Sequence, residues 1–389
     1  MTALEEIVRS PEAHGATGAL LPLACRASVP SRLLRGMATL GGEAVVADPD
    51  SELVAALLAL NAIFVVARKD GAVEVPALRF LREPALDLAG GALLRSVLIP
   101  GAPDGAALAR AAALPSLPPL VAVVVTTSYS GDKLSRVRLV VTGLQAPPSR
   151  VLEAEGQLER SAGEEDVVKE AAELVARLAP FRDDARATAE ERRRIARPLA
   201  LRAIRAGVER GRRRQPARTP GLPPLPPPRV PAPMPYFTSG RLELTVNGRA
   251  LHAEVDARTT LSELLRGAGA FGVKAGCATG RCGACTVLLD GRPVAACLTL
   301  AVRAQGRAIV TIEGLGTPEH PHALQSAFAA SGAVQCGFCT PALVLSSRAL
   351  LEAVAEPTEQ EVREELSSLC RCAGYARAIA AVRAVRSAS

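Results

Sequence analysis

Cysteine is the residue type whose number and spacing in this 389-residue sequence point most directly to chemistry. Eight of the nine cysteines lie in the C-terminal third of the chain and form two sets of four. The first set contains Cys277, Cys282, Cys285 and Cys297, and the second contains Cys336, Cys339, Cys370 and Cys372. The N-terminus lacks a signal-peptide pattern, so we predict a cytoplasmic chain with reduced thiols. Such thiols favour metal or cluster ligation over disulfides.

The first set has the spacing C-x4-C-x2-C followed by a fourth cysteine, which is how plant-type ferredoxins hold a [2Fe–2S] cluster. Three glycines in this loop, Gly276, Gly280 and Gly283, allow positive φ angles and close approach of the backbone. Backbone N–H groups can then point at cluster sulfurs. A zinc site with four thiolates is the alternative, although zinc sites usually present paired C-x2-C arms.

The second set consists of a C-x2-C pair and a C-x-C pair. The first pair lies just before Thr340-Pro341, a predicted helix start whose positive dipole end favours thiolates. The second pair lies in a predicted loop before the last helix, so four thiolates can converge. Zinc is a stronger alternative here, because C-x-C alone is less diagnostic.

The segments around the first set predict a small mixed sheet. Two short strands flank the turn Asn247-Gly248, which is a strong hairpin signal. Thr260 to Glu263 forms a capping box that opens a helix ending at Gly267. The predicted strands are Leu242–Val246, Ala250–Val255, Thr286–Leu289 and Ala308–Ile312.

From Pro318 onward the pattern predicts four helices with short connections, and hence a compact bundle. The predicted helices are His322–Ala330, one from Thr340 towards Ala355, one capped at Thr358, and Ala376–Val385.

The N-terminal half predicts an α+β unit that ends in an arginine-rich helix. The predicted helices are Leu4–Arg9, Asp50–Leu60, Glu164–Leu178 and Thr188–Val208. The predicted strands are Ala44–Val46, Ile63–Ala67, Leu120–Thr126 and Arg136–Thr142. A proline-rich segment, residues 211–240, separates this half from the cysteines and is predicted to be an extended linker.

The net charge of +7 is local. Residues 182–218 contain 13 arginines against five acidic residues, and aromatic residues make up 3% of the chain. Few aromatic side chains leave few stacking platforms for bases, so a solvated helix surface is favoured over nucleic-acid binding. No apolar run reaches the ~18 residues of a membrane span.

The segment from Leu242 to about Val385 resembles the iron–sulfur subunit or domain of the molybdenum hydroxylase family, which includes xanthine dehydrogenase, aldehyde oxidoreductase and aerobic carbon monoxide dehydrogenase. The matching strings are GCATGRCGACTV, VQCGFCTPA and LCRCAGYARAI. The resemblance implies a β-grasp ferredoxin domain and a four-helix domain, each holding one [2Fe–2S] cluster. It also implies that Gln335 contacts the pterin of a molybdenum cofactor in a partner chain. Two departures from the family pattern are Ser368, where Asn is common, and Ala373, where Thr is usual.

The N-terminal half resembles the flavin subunit of the same family. The string ATLGGE at residues 38–43 is similar to its second FAD-phosphate motif, which assigns Thr39, Gly41 and Gly42 to FAD. Glu43 adds a negative charge at that position, and the family's first FAD segment is expected to precede residue 1. FAD binding by this chain alone, FAD binding with a further chain that supplies that segment, and a retained docking or scaffold role all stay open.

Three other signals are interpreted as structural. Gly267 to Gly272 spells the dinucleotide fingerprint, but it follows a predicted helix and leads into a cysteine loop. His320 and His322 stand at a helix start, where capping or solvation is favoured. Cys25 lies in an apolar stretch and is expected to be buried.

We therefore predict an α+β multidomain protein in which the chain itself carries no catalytic residue. Its expected role is electron transfer from a partner's molybdenum cofactor through two [2Fe–2S] clusters to FAD or an external acceptor. The alternatives are a zinc-binding scaffold and a self-contained FAD oxidoreductase. The predicted parts are a truncated FAD-binding-like domain (1–104), a flavoprotein C-terminal-like domain (105–210), the linker (211–240), a ferredoxin domain (241–316) and a four-helix domain (317–389).

Overall fold

The computed structural model describes residues 2–113, 117–213, 238–366 and 368–386. The helices are α1 (Leu4–Arg9), α2 (Pro11–Ala16), α3 (Leu20–Ser28), α4 (Arg32–Arg35), α5 (Leu40–Val46), α6 (Glu52–Ala59), α7 (Ala77–Phe80), α8 (Pro84–Asp87), α9 (Leu152–Leu158), α10 (Glu165–Leu178), α11 (Ala189–Arg213), α12 (Leu261–Gly267), α13 (Ala323–Ala330), α14 (Thr340–Ala353), α15 (Glu359–Glu365) and α16 (Tyr375–Arg386). The strands are β1 (Ile63–Arg68), β2 (Gly71–Pro76), β3 (Leu93–Leu98), β4 (Gly105–Ala111), β5 (Val121–Ser130), β6 (Lys133–Val141), β7 (Ser149–Arg150), β8 (Ser239–Val246), β9 (Arg249–Asp256), β10 (Thr286–Leu289), β11 (Arg292–Ala295) and β12 (Ala308–Val310).

The chain divides into two compact units. The N-terminal unit holds the described residues up to Arg213, apart from Ser31–Gly36. The C-terminal unit holds Ser31–Gly36 together with the described residues from Thr238 onward. Most of the predicted linker lies outside the described residues, although α11 continues to Arg213 and β8 begins at Ser239.

The first core of the N-terminal unit is built around α6. Every residue of α6 is buried, because the helix is apolar on nearly all sides and is covered all round. Its N-cap Ser51 accepts the Val54 N–H at 3.3 Å. An antiparallel sheet in the order β2-β1-β3 completes this part, with Phe64 of β1 stacked on Phe80.

The prediction of a strand at Ala44–Val46 is wrong, because these residues are the last turn of α5. Thr39 accepts the Gly42 N–H at 3.1 Å and so caps a helix at this point. The β-branched Val45 and Val46 are 41% and 73% exposed, so they have no buried sheet face to fill. Helix capping therefore outweighs the strand propensity of the two valines.

The second part of the N-terminal unit is a four-stranded antiparallel sheet in the order β4-β5-β6-β7. Both of its faces are buried, which explains the continuous apolar run of β5. Val124 points into the first core, whereas Val123 and Val125 point into a second core beneath α10 and α11. Alternate residues of one strand thus join the two cores of this unit.

A buried guanidinium organises the start of α11. Arg192 is fully buried, donates to the carbonyls of Leu120 and Arg182, and pairs with Asp184 at 2.6 Å. Burial would raise the pKa of Asp184, but the Arg186 N–H and the Arg182 side chain outweigh burial and hold that pKa far below its usual range. Arg182 also binds Asp50 at 2.6 Å, which ties this corner to the residues before α6.

The C-terminal unit starts with the predicted mixed sheet, in the order β11-β10-β12-β8-β9. The β8–β9 hairpin turns at Asn247-Gly248, both with positive φ, and β12 pairs in parallel with β8. Helix α12 crosses this sheet and begins with the predicted capping box of Thr260 and Glu263. The α+β multidomain fold class and the ferredoxin-type sheet are confirmed.

The rest of the C-terminal unit consists of α13, α14, α15 and α16 around one apolar core. Pro341 stands in the first turn of α14, and a capping box of Thr358 and Glu361 begins α15, both as predicted. Helix α14 also packs against β10 and β11. The helical domain and the sheet therefore form one body.

We predict that Arg192→Leu lowers the free energy of unfolding of the N-terminal unit by about 3 kcal/mol, because the half-buried Asp184 carboxylate loses one of its donors and the carbonyls of Leu120 and Arg182 lose theirs. Urea unfolding followed by circular dichroism measures this change. Arg193→Leu, at the exposed neighbouring position, is the matched control and is expected to change stability by less than about 0.5 kcal/mol. Equal effects of the two substitutions would contradict a role for the buried guanidinium.

Candidate functional site

The first set of cysteines lies on the loop between α12 and β10 and on the residues after β11. Cys285 is buried at the end of the loop, and its carbonyl accepts the Ala296 N–H at 3.4 Å, which brings the neighbouring Cys297 beside it. The thiol of Cys285 interacts with those of Cys297 and Cys282, and the thiol of Cys282 interacts with that of Cys277. The structure thus brings all four predicted cysteines together.

Backbone amides surround the first cysteine of this loop. The N–H groups of Thr279 and Cys282 point at the Cys277 sulfur at 3.4 and 3.3 Å. Burial would raise the pKa of the Cys277 thiol, but the Thr279 side chain and these amides outweigh burial and lower the pKa to about 6. Burial raises the pKa of Cys285 to about 12, so metal binding must displace a proton there.

Gly276 and Gly280 lie at positions where a side chain would not fit. Gly280 has a φ of +74°, and a Cβ there would lie 2.4 Å from Leu298. A Cβ on Gly276 would lie 2.8 Å from the Cys282 sulfur. Amides aimed at sulfur and a backbone this close to a ligand sulfur fit a cluster with acid-labile sulfide.

The second set of cysteines lies on two loops of the helical domain. Cys336 and Cys339 precede α14, and Cys370 and Cys372 precede α16. The thiol of Cys339 interacts with that of Cys370, and the thiol of Cys336 interacts with that of Cys372, so the two arms meet.

Hydrogen bonds differentiate the thiols of the second set. The Phe338 N–H lowers the pKa of the exposed Cys336. Burial would raise the pKa of Cys370, but the Gly374 N–H and other donors outweigh it and lower that pKa. Burial and the neighbouring Cys370 raise the pKa of Cys339 to about 12. The donor set again consists of thiols with amides directed at them, which suits a [2Fe–2S] cluster.

Among the residues that the structure describes, no three His, Cys, Asp or Glu side chains are arranged to hold one metal ion. In a [2Fe–2S] cluster, four thiolates coordinate two irons, so each iron is bound by only two of them.

Gln335 is exposed beside the second set. A Cβ added to Gly374 would lie 3.6 Å from the side-chain amide nitrogen of Gln335 and 4.0 Å from the Cys370 sulfur. Gln335 is therefore close to Cys370. The structure therefore places the predicted pterin-contacting residue at the surface near the second set.

The predicted FAD residues lie at the start of α5. Thr39 is the helix cap, Gly41 is half-buried, and Gly42 is exposed. The side chain of Glu43 is in the same turn, and burial together with the charge of Asp48 raises the pKa of its carboxyl. Backbone N–H groups at a helix start are the kind of donor that binds phosphate, whereas a carboxylate there opposes an anionic ligand.

Three structural interpretations from the sequence are confirmed. His322 accepts the Leu324 N–H through Nδ1 at 3.2 Å and so caps α13. Gly267 to Gly272 follows a helix rather than a strand and does not open another helix. Cys25 is fully buried in α3.

Sequence patterns did not predict that the short segment Ser31–Gly36 belongs to the C-terminal unit. Leu33 is buried in the ferredoxin-type core, and Arg32 pairs with Glu365 of α15. Leu34 lies against the cysteine loop, 2.6 Å from the position of a Cβ on Gly280. Two leucines between arginines carry no signal of partners more than 200 residues away, so sequence analysis could not find them.

Comparison with known proteins links these sites to characterised families. Four family models match in chain order: the FAD binding domain in molybdopterin dehydrogenase (residues 3–102), the CO dehydrogenase flavoprotein C-terminal domain (119–206), the 2Fe-2S iron-sulfur cluster binding domain (244–308) and the [2Fe-2S] binding domain (311–383). The aldehyde oxidoreductase iron-sulfur-binding subunit PaoA of Escherichia coli K12 is 44% identical over 170 residues, which cover 39% of this chain and 74% of the relative. The chain belongs to the molybdenum hydroxylase family.

Further members of the molybdenum hydroxylase family are similar to this chain. The nicotinate dehydrogenase small FeS subunit of Eubacterium barkeri is 43% identical over 36% of this chain and 92% of its own length. A solved carbon monoxide dehydrogenase from Hydrogenophaga pseudoflava is 22% identical over 54% of this chain and 74% of that chain, with a TM-score of 0.50, and shares the fold. The chain is thus an oxidoreductase component with two 2Fe-2S domains and an FAD-binding domain. In its described part, no helix has the length and apolar character needed to span a bilayer.

We predict that Gly280→Ala prevents assembly at the first cysteine set, so that iron and acid-labile sulfide fall to about half. The added Cβ meets Leu298 and also requires a positive φ. Gly291→Ala is the matched control, because it has a φ of +78° but nothing within 4 Å of the added carbon. Equal iron loss in both variants would show that backbone strain, and not space beside the loop, is responsible.

We also predict that Glu43→Gln strengthens FAD binding about fivefold, because it removes a negative charge from the first turn of α5. Quenching of flavin fluorescence on titration measures the dissociation constant. Glu74→Gln, on exposed β2, is the control and is expected to bind FAD as the unaltered chain does. Identical affinities in all three proteins would contradict the opposing role of Glu43.

Proposed function

We propose that this chain is the electron-transfer subunit of a molybdenum hydroxylase complex. The observation that supports it most directly is the pair of four-cysteine sites on adjacent loops of one compact unit. An electron-transfer role needs fixed cofactors and no proton transfer by the chain. The chain is therefore proposed to carry no catalytic residue.

The proposed ligands are the eight clustered cysteines. Cys277, Cys282, Cys285 and Cys297 hold one [2Fe–2S] cluster, and Cys336, Cys339, Cys370 and Cys372 hold the other. Electrons enter at the second set and leave from the first. Each set contains one buried cysteine, Cys285 or Cys339, but only the second set contains an exposed one, Cys336. Burial and hydrogen bonds to sulfur tune cluster potentials.

The proposed partner is a large subunit that carries the molybdenum cofactor and docks around Gln335. Four apolar side chains near the second set are exposed in this chain, and a partner surface would cover them. They are Val334, Phe338, Leu369 and Tyr375, with exposures of 44%, 45%, 55% and 36%. Two of the relatives are themselves named as subunits, PaoA and the nicotinate dehydrogenase small subunit.

The proposed electron acceptor is FAD or an external acceptor. Thr39, Gly41 and Gly42 would face the FAD phosphates, and a separate chain is proposed to add further phosphate contacts. We infer that the Glu43 carboxylate weakens FAD binding by this chain, because a negative charge at a helix start opposes a phosphate. We place the complex in the cytoplasm, and the five-part domain division of the sequence stays a prediction.

The first test is the visible absorption and reduced-state electron paramagnetic resonance of the purified chain, with iron, sulfide, zinc and flavin quantified on the same sample. Two distinct [2Fe–2S] signals support the electron-transfer role. A colourless protein loaded with zinc would overturn it in favour of a scaffold. Bound FAD with turnover in the absence of a partner would favour a self-contained oxidoreductase.

We predict that Cys336→Ser removes one of the two paramagnetic signals and leaves the other, because the second set loses a ligand while the first is intact. Cys285→Ser is the reciprocal variant and is expected to remove the other signal. Iron content should fall to about half in each case. Loss of both signals in both variants would contradict two separate sites.

A further inference from the structure

The loops that carry the two cysteine sets are hydrogen-bonded directly to each other. The Leu369 N–H donates to the carbonyl of Cys282 at 2.8 Å. The Ser368 hydroxyl donates to the carbonyl of Gly283 at 3.2 Å. Cys282 belongs to the first set, and Leu369 directly precedes Cys370 of the second set. A single hydrogen bond therefore links the backbone of one proposed ligand to the residue next to another.

Further contacts hold this junction in place. The Cys370 N–H donates to the Tyr375 hydroxyl at 2.7 Å, so consecutive amides of the Leu369–Cys370 segment are both engaged. The ring of Phe338, between Cys336 and Cys339, lies 3.8 Å from the position of a Cβ on Gly276. The two loops thus meet through hydrogen bonds, and the Phe338 ring lies close to the first loop.

Ser368 is placed to set the spacing of the loops without carrying their stability. It is 2% exposed, so its hydroxyl needs a partner within the protein. The Gly283 carbonyl also accepts from the Thr286 N–H at 3.1 Å and from the Thr286 hydroxyl at 2.6 Å. Removing the Ser368 hydroxyl therefore leaves that carbonyl satisfied, and the fold is expected to tolerate the change.

We propose that Ser368 and Leu369 form an inter-cluster latch, in which the Cys282 carbonyl and the Leu369 N–H are the contact that electrons cross and Ser368 is a positioning residue that keeps this contact closed. The latch rests on the proposed electron-transfer function. The step is a one-electron exchange, in which the site of the second set is oxidised and that of the first is reduced. No bond forms or breaks, and no proton moves.

The test compares three variants of the full chain, each shown by iron and sulfide analysis to hold both clusters. Ser368→Ala removes the latch hydroxyl, and Ser368→Thr keeps one. Ser347→Ala is the matched control, because Ser347 is equally buried but donates to Leu343 within its own helix at 2.8 Å.

Two quantities are measured: the rate at which the clusters exchange an electron after rapid partial reduction, and their magnetic coupling in the fully reduced chain. Ser368→Ala is expected to slow the exchange on the order of 10-fold, the scale typical of losing an outer hydrogen bond at a metal site, and to weaken the coupling. Ser368→Thr and Ser347→Ala are expected to match the unaltered chain. Unchanged exchange and coupling in Ser368→Ala would overturn the latch.

Hydrogen exchange of the unaltered chain gives a second test that needs no substitution. Leu369 lies outside every described helix and strand, and its side chain is 55% exposed. Slow exchange of its amide is therefore expected only if the bond to Cys282 persists. Exchange at the rate of an unstructured peptide would overturn the latch even if Ser368→Ala failed to assemble its clusters. Absence of both clusters from the unaltered chain would instead refute the proposed function.

Discussion

The constraint on which the C-terminal unit depends is that four thiolates and several N–H donors must face one small anionic group. An ordinary loop cannot do this, because side chains would occupy the space and amides would point elsewhere. In the loop of the first set, Gly280 and Gly283 have positive φ angles and no side chains to occupy the space. Two backbone amides of the same loop point at the Cys277 sulfur. Fixing so many backbone angles of one loop costs conformational entropy, so the loop needs a rigid support.

That support is supplied by two different kinds of core. The first loop rests on a mixed sheet crossed by α12, whereas the loops of the second set are held at the ends of packed helices. Helix α14 begins directly at Cys339 and packs against β10, which follows Cys285 within one residue. Two cluster loops are therefore positioned by elements that also contact each other, so their separation is a property of the core.

Sequence patterns predicted the parts of this fold that local chemistry specifies. The Asn247-Gly248 hairpin, the capping boxes at Thr260 and Thr358, and the cysteine spacing are all signals within a few residues, and the structure has the corresponding elements. The strand expected at Ala44–Val46 failed because the cap at Thr39, several residues earlier, decides the backbone there. The burial of Leu33 in the ferredoxin-type core could not be predicted from local patterns, because the residues that it packs against lie far along the chain.

The contact between Ser368 and Gly283 shows the same limit inside the candidate site itself. The sequence marked Ser368 only as a departure from a family pattern, and nothing local indicates that its hydroxyl bonds the other cysteine loop. Its role follows from burial: a short polar side chain enclosed by protein has to reach the carbonyl beside it, and a serine can do so only when the loops are close. A chain that is proposed to carry electrons needs a fixed distance between its two cysteine loops. It does not need a side chain that gains or loses a proton. Placing a buried hydrogen bond between its two cysteine loops is a direct way to obtain that distance.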